Sequence, residues 1–281
     1  MRLMSFEAEG RQQAGVVVGD AVTSLAAASP GERSPIHALL ALDATALAAL
    51  PPLGIFALGD IALRPVVPDP HAIWCSAGTY RAHLKEGGHK ETSEPPWFLR
   101  VAGSLCAPGA PIFKPTVSDR LDFEGELAVV IGTRARHVAE ADAMRHVAGF
   151  TCFNDASVRD WQVHSTQVTA GKNFASTGAF GPWLVTPDEF GDPYSKRLQT
   201  RLNDVVVQSA MIGELMFPIA RMIAYLSVIC PLLPGDVVVT GTPAGVGNRR
   251  TPQLFMKSGD VVEVEVDGIG TLRNPIALEI A

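Results

Sequence analysis

The chain has 281 residues, 47% of them hydrophobic and 19% charged, with a formal net charge of −6. That length accommodates a full core in one or two domains, and an acidic balance without a basic stripe gives no footing for a nucleic-acid partner. Cys75, Cys106, Cys152 and Cys230 lie far apart with no paired spacing. Such scatter speaks against a zinc site or a disulfide framework and suits a reducing, cytoplasmic setting. The first residues, MRLMSFEAEGRQQAG, hold no apolar signal core, and no segment approaches membrane-spanning length.

Residues 1–70 read as a small unit of their own. MRLMSF, AGVVVGD and AVTSL have the composition of short strands separated by Gly and Asp turns. The Ala/Leu-rich stretch from His37 to Leu50 reads as helix, ended by Pro51 and Pro52. The Pro-bearing RPVVPDPHA then leads into a second unit, residues 71–281, of catalytic size. AIWCSAG reads as a strand, TYRAHLKEGG as one or two helical turns, and EPPWFLR as loop or sheet edge because of its two prolines. DFEGELAVVIGT, from Asp122 to Thr133, has a Val/Ile-rich strand core stopped by Gly132.

A short helix is expected from Ala139 to His146, then a strand from Ala148 to Asn154, then a polar, loop-rich stretch over residues 155–180. Ile219, Met222, Ile223 and Leu226 recur at helical spacing between Phe217 and Ile229, with Pro218 in the first turn, where its missing N–H does no harm. DVVVTGTPAGVG and DVVEVEVDGIGTLRNPI are strongly β with Gly and Pro turns. The sum is a mainly β (α+β) fold, a folded-over sheet structure with few helices rather than a parallel α/β sheet.

The chemistry concentrates in a few stretches. On a strand, Glu124 and Glu126 point to one face about 7 Å apart and repel each other unless a positive charge sits between them. A divalent cation with hard oxygen ligands meets that need; the alternative is a pair of glutamates on the solvated face of an edge strand. Asp155 follows the next predicted strand and can reach the pair, since consecutive strands are usually neighbours, although a turn-forming role is the common one for such an Asp. Three carboxylates without Cys or His favour Mg²⁺ or Mn²⁺ over Zn²⁺. His83 and Glu86, three apart on a helical turn, can meet, and a carboxylate that takes one imidazole proton leaves the other nitrogen basic; a surface histidine is the plain alternative. Lys172 is either a solvated loop lysine or an electrostatic partner for an oxyanion. Thr240–Gly247, TGTPAGVG, has three glycines and a proline after a strand, a backbone able to bring N–H groups close to an anion, and it lacks the Gly-Lys-Ser/Thr ending of a phosphate loop.

These fragments, in order, resemble the fumarylacetoacetate hydrolase superfamily from about Ala72 to the C-terminus. DFEGELAVVIG resembles its first metal motif, FNDASVRD its second, GKNF its lysine motif, TGTPAGVG its substrate loop and GDVVEVEVDGIGTLRNPI its closing hairpin; residues 1–70 resemble the small accessory domain of many members. The resemblance implies a mixed β-sandwich or roll, with Glu124, Glu126 and Asp155 holding Mg²⁺ or Mn²⁺. It implies that His83 and Glu86 form a water-activating dyad on a mobile lid and that Lys172 is the active-site lysine. Tyr80, Gln162 and Thr242 would lie at the substrate, and Arg159 matches a family arginine of structural or functional role. Two departures stand out: Ala77, Gly78, Thr79, Tyr80 replace the common Gly-Leu-Asn-Tyr, and Asp204 departs from an asparagine–glycine turn. The implied activity is metal-dependent hydrolysis of the C–C bond of an acylpyruvate-like 2,4-diketo acid from aromatic or sugar-acid catabolism, with pyruvate enolate leaving. Decarboxylation or tautomerisation of a 2-keto acid is the runner-up, and an inactive binding protein the third reading. A homodimer is expected by the same resemblance.

Overall fold

The computed structural model describes residues 1–26 and 33–279 of the chain. The protein is mainly β, built on mixed sheets. The largest has twelve strands, in the order Pro52–Ala57, Ala21–Leu25, Arg11–Val18, Arg2–Ala8, Gly178–Val185, Val147–Asp155, Gly125–Ile131, Val237–Val239, Ile73–Ser76 and Trp97–Arg100, with Ala62–Leu63 and Leu105–Cys106 pairing off this path. A five-stranded sheet runs Val205–Met211, Arg197–Leu202, Val261–Val266, Gly270–Leu278 and Ile112–Lys114. No described helix is long and apolar enough to cross a membrane.

The acidic strand sits at the centre of the large sheet, not at its edge. Gly125–Ile131 pairs antiparallel with Val147–Asp155 on one side and with Val237–Val239 on the other, and every one of its residues is buried. Its continuous apolar run follows from having both faces covered. Leu127, Val129 and Ile131 enter one core cluster, shared with Leu198, Val264 and Leu272 of the smaller sheet. Ala128 and Val130 enter a second, shared with Ile36, Leu39 and Val66 from the N-terminal region. Glu126 pairs across the sheet with Phe153, and the main-chain N–H of Asp155 donates to Glu124 O at 2.8 Å. With a side-chain period of two, Glu124, Glu126, Phe153 and Asp155 therefore lie on the face of Ala128 and Val130. The carboxylates end an apolar stripe.

The N-terminal strands extend this sheet directly. Arg2–Ala8 pairs antiparallel with Gly178–Val185 through Arg2↔Val185 and Leu3↔Leu184. The Ala/Leu stretch divides into a single turn, Pro35–Ala38, and a helix, Ala44–Ala49, because Asp43 caps the latter by accepting from Ala46 N–H at 2.8 Å. Trp97–Arg100 is an edge strand that begins just after Pro95 and Pro96. The amphipathic helix spans Ile219–Ile229, with Pro218 just ahead of it and Ile219, Met222, Ile223 and Leu226 buried. The span from Ala139 to His146 is one short turn of helix, Glu140–Ala143, followed by a tighter turn, Met144–His146.

Two short elements position the site. Helix Arg81–Gly87 stops at Gly88, whose φ of +69° lets its N–H turn back onto Leu84 O and Lys85 O. Residues 155–180 contain two single-turn helices, Arg159–Gln162 and Thr169–Lys172, where the sequence reads as loop. At the departure noted near Asp204, Asn203 and Asp204 take φ of 49° and 64°, the two left-handed residues of a tight hairpin between Arg197–Leu202 and Val205–Met211. Both residue types tolerate that region, so the turn survives without glycine.

Candidate active site

Glu124, Glu126 and Asp155 are buried, and ligand-type oxygens from all three lie within 4.8 Å of one another. With Lys172 they form the floor of a cavity of about 900 Å³, on whose walls lie His83, Gln162 and Thr242. A second crevice of about 490 Å³, beside Asp43 and His146, holds none of the residues singled out from the sequence.

The floor is dense in charge. Lys172 Nζ donates to Glu124 Oε2 and to Asp155 Oδ2, each at 2.5 Å, and lies 5.0 Å from the centre of the Phe98 ring. Arg100 Nη1 donates to Asp155 Oδ1 at 2.6 Å, and Arg159 Nη2 stands 2.7 Å from Glu124 Oε1. The last contact is an ion pair without hydrogen-bond alignment, since that nitrogen has no hydrogen-bond partner. Burial works against the Glu124 carboxylate, but Arg159 and Lys172 outweigh it and hold the group well below the usual carboxylate range. Burial likewise opposes the Lys172 ammonium, and Asp155 and Glu124 overcome it, so its pKa rises. Asp155 and Glu124 thus favour the charged form of Lys172.

Glu126 is different. It has no ion-pair partner among the described residues; the Gly241 N–H donates to its Oε2 at 2.5 Å. Burial first, then the Asp155 and Glu124 charges, push its carboxyl well above the ordinary value, while Lys172 and that N–H pull the other way. A buried carboxylate without a cation, in an oxygen-only donor set this compact, fits a hard divalent cation. Glu124, Glu126 and Asp155 are the residues that would hold such an ion.

His83 and Glu86 meet on helix Arg81–Gly87, with Nδ1 3.1 Å from Oε2. Glu86 is fixed from behind by the Gly245 N–H, which donates to both of its oxygens at 3.0 and 3.2 Å. Gly245 takes φ +107°, and a Cβ there would overlap Val207 O, so only glycine presents this N–H. A Cβ at Gly241 would similarly overlap the Thr79 hydroxyl, which donates to Thr240 O at 2.7 Å. Thr79, where the family commonly has Asn, thus ties the start of the helix to the glycine loop.

Thr242 Oγ1 donates to Gly125 O at 3.0 Å and accepts from Gln208 Nε2 at 2.8 Å. Gln162 Oε1 accepts from Arg159 Nη1 at 3.0 Å, which leaves the Gln162 amide donors for the cavity. Tyr80 lies apart from these. It is buried beside the glycine loop rather than on the cavity wall, its hydroxyl has no partner, and burial together with Glu126 and Glu214 raises its pKa.

Three further residues of the site are placed by contacts distant in sequence. Asp122 is fully buried; it accepts from Gly247 N–H, Asn248 N–H and Arg159 Nε at 2.7, 2.9 and 2.8 Å, tying the glycine loop to the Gln162 turn. Arg100 bridges Asp155 and Thr177 from the edge strand. Gln208 links Gly125, Thr242 and Pro243. Each partner lies tens of residues away in the chain, so local pattern holds nothing about them; only Asp122, inside an acidic run, draws the eye.

Mixed β-sheets surround a buried three-carboxylate centre that could hold a divalent cation, with His83 on the cavity wall and Glu86 paired to it. Residues 72–277 match the model of the fumarylacetoacetate (FAA) hydrolase C-terminal family, and the chain belongs to that family. It is 38% identical to oxaloacetate tautomerase fahd2, mitochondrial, of Xenopus laevis over 224 residues, 79% of this chain and 70% of that protein. The human oxaloacetate tautomerase FAHD2A, mitochondrial, is 37% identical over 242 residues, 85% of this chain and 76% of that one. Among solved structures, the fumarylacetoacetate hydrolase of Exiguobacterium antarcticum superposes with a TM-score of 0.84 at 28% identity, covering 99% of this chain and all (100%) of that one. A 5-carboxymethyl-2-hydroxymuconate delta-isomerase from Mycobacterium smegmatis gives 0.82 at 29% identity over 99% and 100% of the two chains.

Proposed function

We propose that this protein is a tautomerase of 2-oxo acids, interconverting keto and enol forms with Mg²⁺ or Mn²⁺ held by Glu124, Glu126 and Asp155. The observation that carries the reading is His83 on the wall of the cavity whose floor is the carboxylate triad, with Glu86 paired to its Nδ1. A cation on those ligands supplies Lewis acidity, lowering the cost of negative charge on the substrate's ketone oxygen. Glu86, held by Gly245, accepts the Nδ1 proton and leaves His83 Nε2 as the base. His83 removes a proton from the carbon next to the ketone, Glu86 stabilises the imidazolium, and the proton passes to the ketone oxygen. One C–H bond breaks and one O–H bond forms. Lys172 adds fixed positive charge beside the reacting end, and Gln162 and Thr242 orient the substrate from the wall.

The relatives named as oxaloacetate tautomerases move this reading ahead of C–C hydrolysis. Hydrolysis remains the second reading, since a maleylpyruvate hydrolase from Sphingobium sp. SYK-6 superposes with a TM-score of 0.77 at 27% identity. There His83 would take its proton from water, hydroxide would add to the 4-keto carbon, and the C3–C4 bond would break with pyruvate enolate leaving. A second copy of the chain is the proposed partner in solution, which light scattering reads directly.

Deuterium wash-in at C3 of oxaloacetate and release of pyruvate from an acylpyruvate, both with Mn²⁺, separate the two readings. Wild type is expected to accelerate the first far more than the second. His83→Ala is expected to slow exchange by about 10²- to 10⁴-fold, the scale of losing a general base. Unchanged exchange in that variant sinks the dyad mechanism, and rapid pyruvate release with no exchange above background replaces tautomerisation by hydrolysis.

A further inference from the structure

Asp122 stands two residues before Glu124 and outside the carboxylate triad. A two-stranded ribbon places it: Leu121–Asp122 pairs antiparallel with Ser157–Val158, and the Arg159 N–H donates to Arg120 O at 3.0 Å. The ribbon joins the chain ahead of Glu124 to the chain behind Asp155, so Asp122 meets Arg159. Its side chain is fully buried and fully engaged. Oδ1 accepts from the N–H groups of Phe123 and Gly247 at 2.9 and 2.7 Å, and Oδ2 accepts from Asn248 N–H and Arg159 Nε at 2.9 and 2.8 Å. A Cβ at Gly247 would overlap Leu254 O and crowd Oδ1, so glycine is what brings that N–H in. A carboxylate offers about four lone-pair sites. All are taken, and Asp122 has nothing left for a metal ion or a substrate.

Arg159 is shared. Its Nε goes to Asp122, its Nη1 donates to Gln162 Oε1 at 3.0 Å, and its Nη2 stands 2.7 Å from Glu124 Oε1 without hydrogen-bond alignment. The Nε and Nη2 edge of a guanidinium is a fork that matches one carboxylate with two parallel bonds. Here that fork is split between two carboxylates. Because the group is planar and rigid, ties at Nε and Nη1 fix the direction of Nη2. Glu124 Oε1 therefore has a positive neighbour but no hydrogen-bond donor among the described residues, while Lys172 takes Oε2.

We infer that Asp122 is a positioning residue for the metal centre: it holds the Arg159 fork off Glu124 and keeps Oε1 open as a ligand atom. The inference rests on the reading of the triad as the metal site. Without the Asp122 acceptor, Arg159 Nε and Nη2 are free to close on Glu124 together. The oxygen that a cation needs is then spent on an internal ion pair. Loss of Asp122 also removes a negative charge, which weakens cation binding without any change of geometry; a second substitution at Arg159 separates the two effects.

Calorimetry with Mn²⁺ alone measures this, with a thermal melt to show that each variant is folded. Asp122→Asn is expected to weaken Mn²⁺ binding by about tenfold or more, the scale of a change in an outer-shell partner. Adding Arg159→Lys keeps the charge of the single variant and removes the fork, and most of the affinity is expected to return. Gln162→Leu cuts the Nη1 tie at a half-buried position without altering charge, and is expected to weaken Mn²⁺ binding by less than Asp122→Asn does. Wild-type affinity in folded Asp122→Asn overturns the inference. So does a double variant no better than the single one, which traces the loss to charge. If Asp122→Asn does not fold, Gln162→Leu decides: a loss of affinity upholds the inference and wild-type affinity overturns it. A wild-type protein that binds no Mn²⁺ removes the metal reading and the inference with it, whereas deuterium exchange judges the tautomerase reading separately.

Discussion

The floor and the wall of one cavity are built in opposite ways. Glu124, Glu126, Asp155 and Lys172 are between 1% and 5% exposed and sit on or beside central strands whose registers are set by main-chain hydrogen bonds. His83 and Glu86 have side chains about one-fifth exposed, on a seven-residue helix held at its ends by Tyr80, Gly88 and the glycine loop. On the reading proposed above, the floor supplies chemistry common to any chelating 2-oxo acid, and the wall decides which proton moves. A family whose solved members include both isomerases and hydrolases is what such a division allows: one rigid electrostatic base, and a wall made of short, separately adjustable pieces.

The largest effect that tests this division falls on the floor. Glu126→Ala is expected to abolish metal-dependent activity and to weaken Mn²⁺ binding by more than about 100-fold, a larger loss than removing an outer-shell partner causes. Calorimetry on the purified variant reads it, with a thermal melt to show that the protein is folded. A folded variant with wild-type Mn²⁺ affinity would remove Glu126 from the ligand set and leave its buried charge without a purpose.

The wall is expected to respond to ligand where the floor does not. Residues 88–96, which follow the helix, contain no regular element and are mostly exposed; Arg221 reaches Ser93 O and Glu94 at 2.8 and 3.1 Å, and Pro96 O accepts from Ala77 N–H and the Ser76 hydroxyl at 3.1 and 3.2 Å. Hydrogen exchange over residues 85–96 is expected to slow by about tenfold when Mn²⁺ and oxalate are added, because few buried apolar contacts hold the segment down. Exchange in Gly125–Ile131 should change little. Equal protection of residues 85–96 with and without oxalate would make the wall as rigid as the floor.

The same division explains what can be read from the sequence. Glu124 and Glu126 are legible because a strand's period of two is local, and Asp155 because neighbouring strands follow each other. His83 and Glu86 are legible because i, i+3 is a helical contact. Arg100, Asp122 and Gln208 join residues 34 to 125 positions away in the chain, and no local pattern encodes such a meeting. Nor can the acidic strand be placed at the sheet centre from its own residues, since a run of Val and Ile reads the same with one covered face or two. The Leu3↔Leu184 pairing that joins the N-terminal meander to the main sheet is out of reach for the same reason. The two short helices bearing Gln162 and Lys172 leave no trace in the sequence because one helical turn has no period to detect.

The smallest effect sharpens the comparison most, because it asks what the floor costs the fold. Burial, then the charges of Asp155 and Glu124, raise the Glu126 carboxyl well above its ordinary 4.5. Above that ordinary value the folded chain therefore holds more protons than the unfolded one. By linkage, the stability of the metal-free protein falls as the pH rises from the ordinary carboxylate range through the raised value. Glu126→Gln keeps the size of the side chain and an oxygen to accept from the Gly241 N–H, and it removes the ionisable group. The metal-free Glu126→Gln protein is expected to melt higher than metal-free wild type near neutral pH, by about 2–4 °C for each kcal/mol regained, and to lose the downward slope with pH. Added Mn²⁺ is expected to raise the melting temperature of wild type far more than that of Glu126→Gln, since binding to the folded state alone is what raises a melting temperature. Thermal melts at several pH values, with chelator and with Mn²⁺, measure all three quantities. A metal-free Glu126→Gln protein that melts no higher than wild type would mean that Lys172, Arg100 and Arg159 already balance the floor. The case for a cation would then rest on the donor geometry alone.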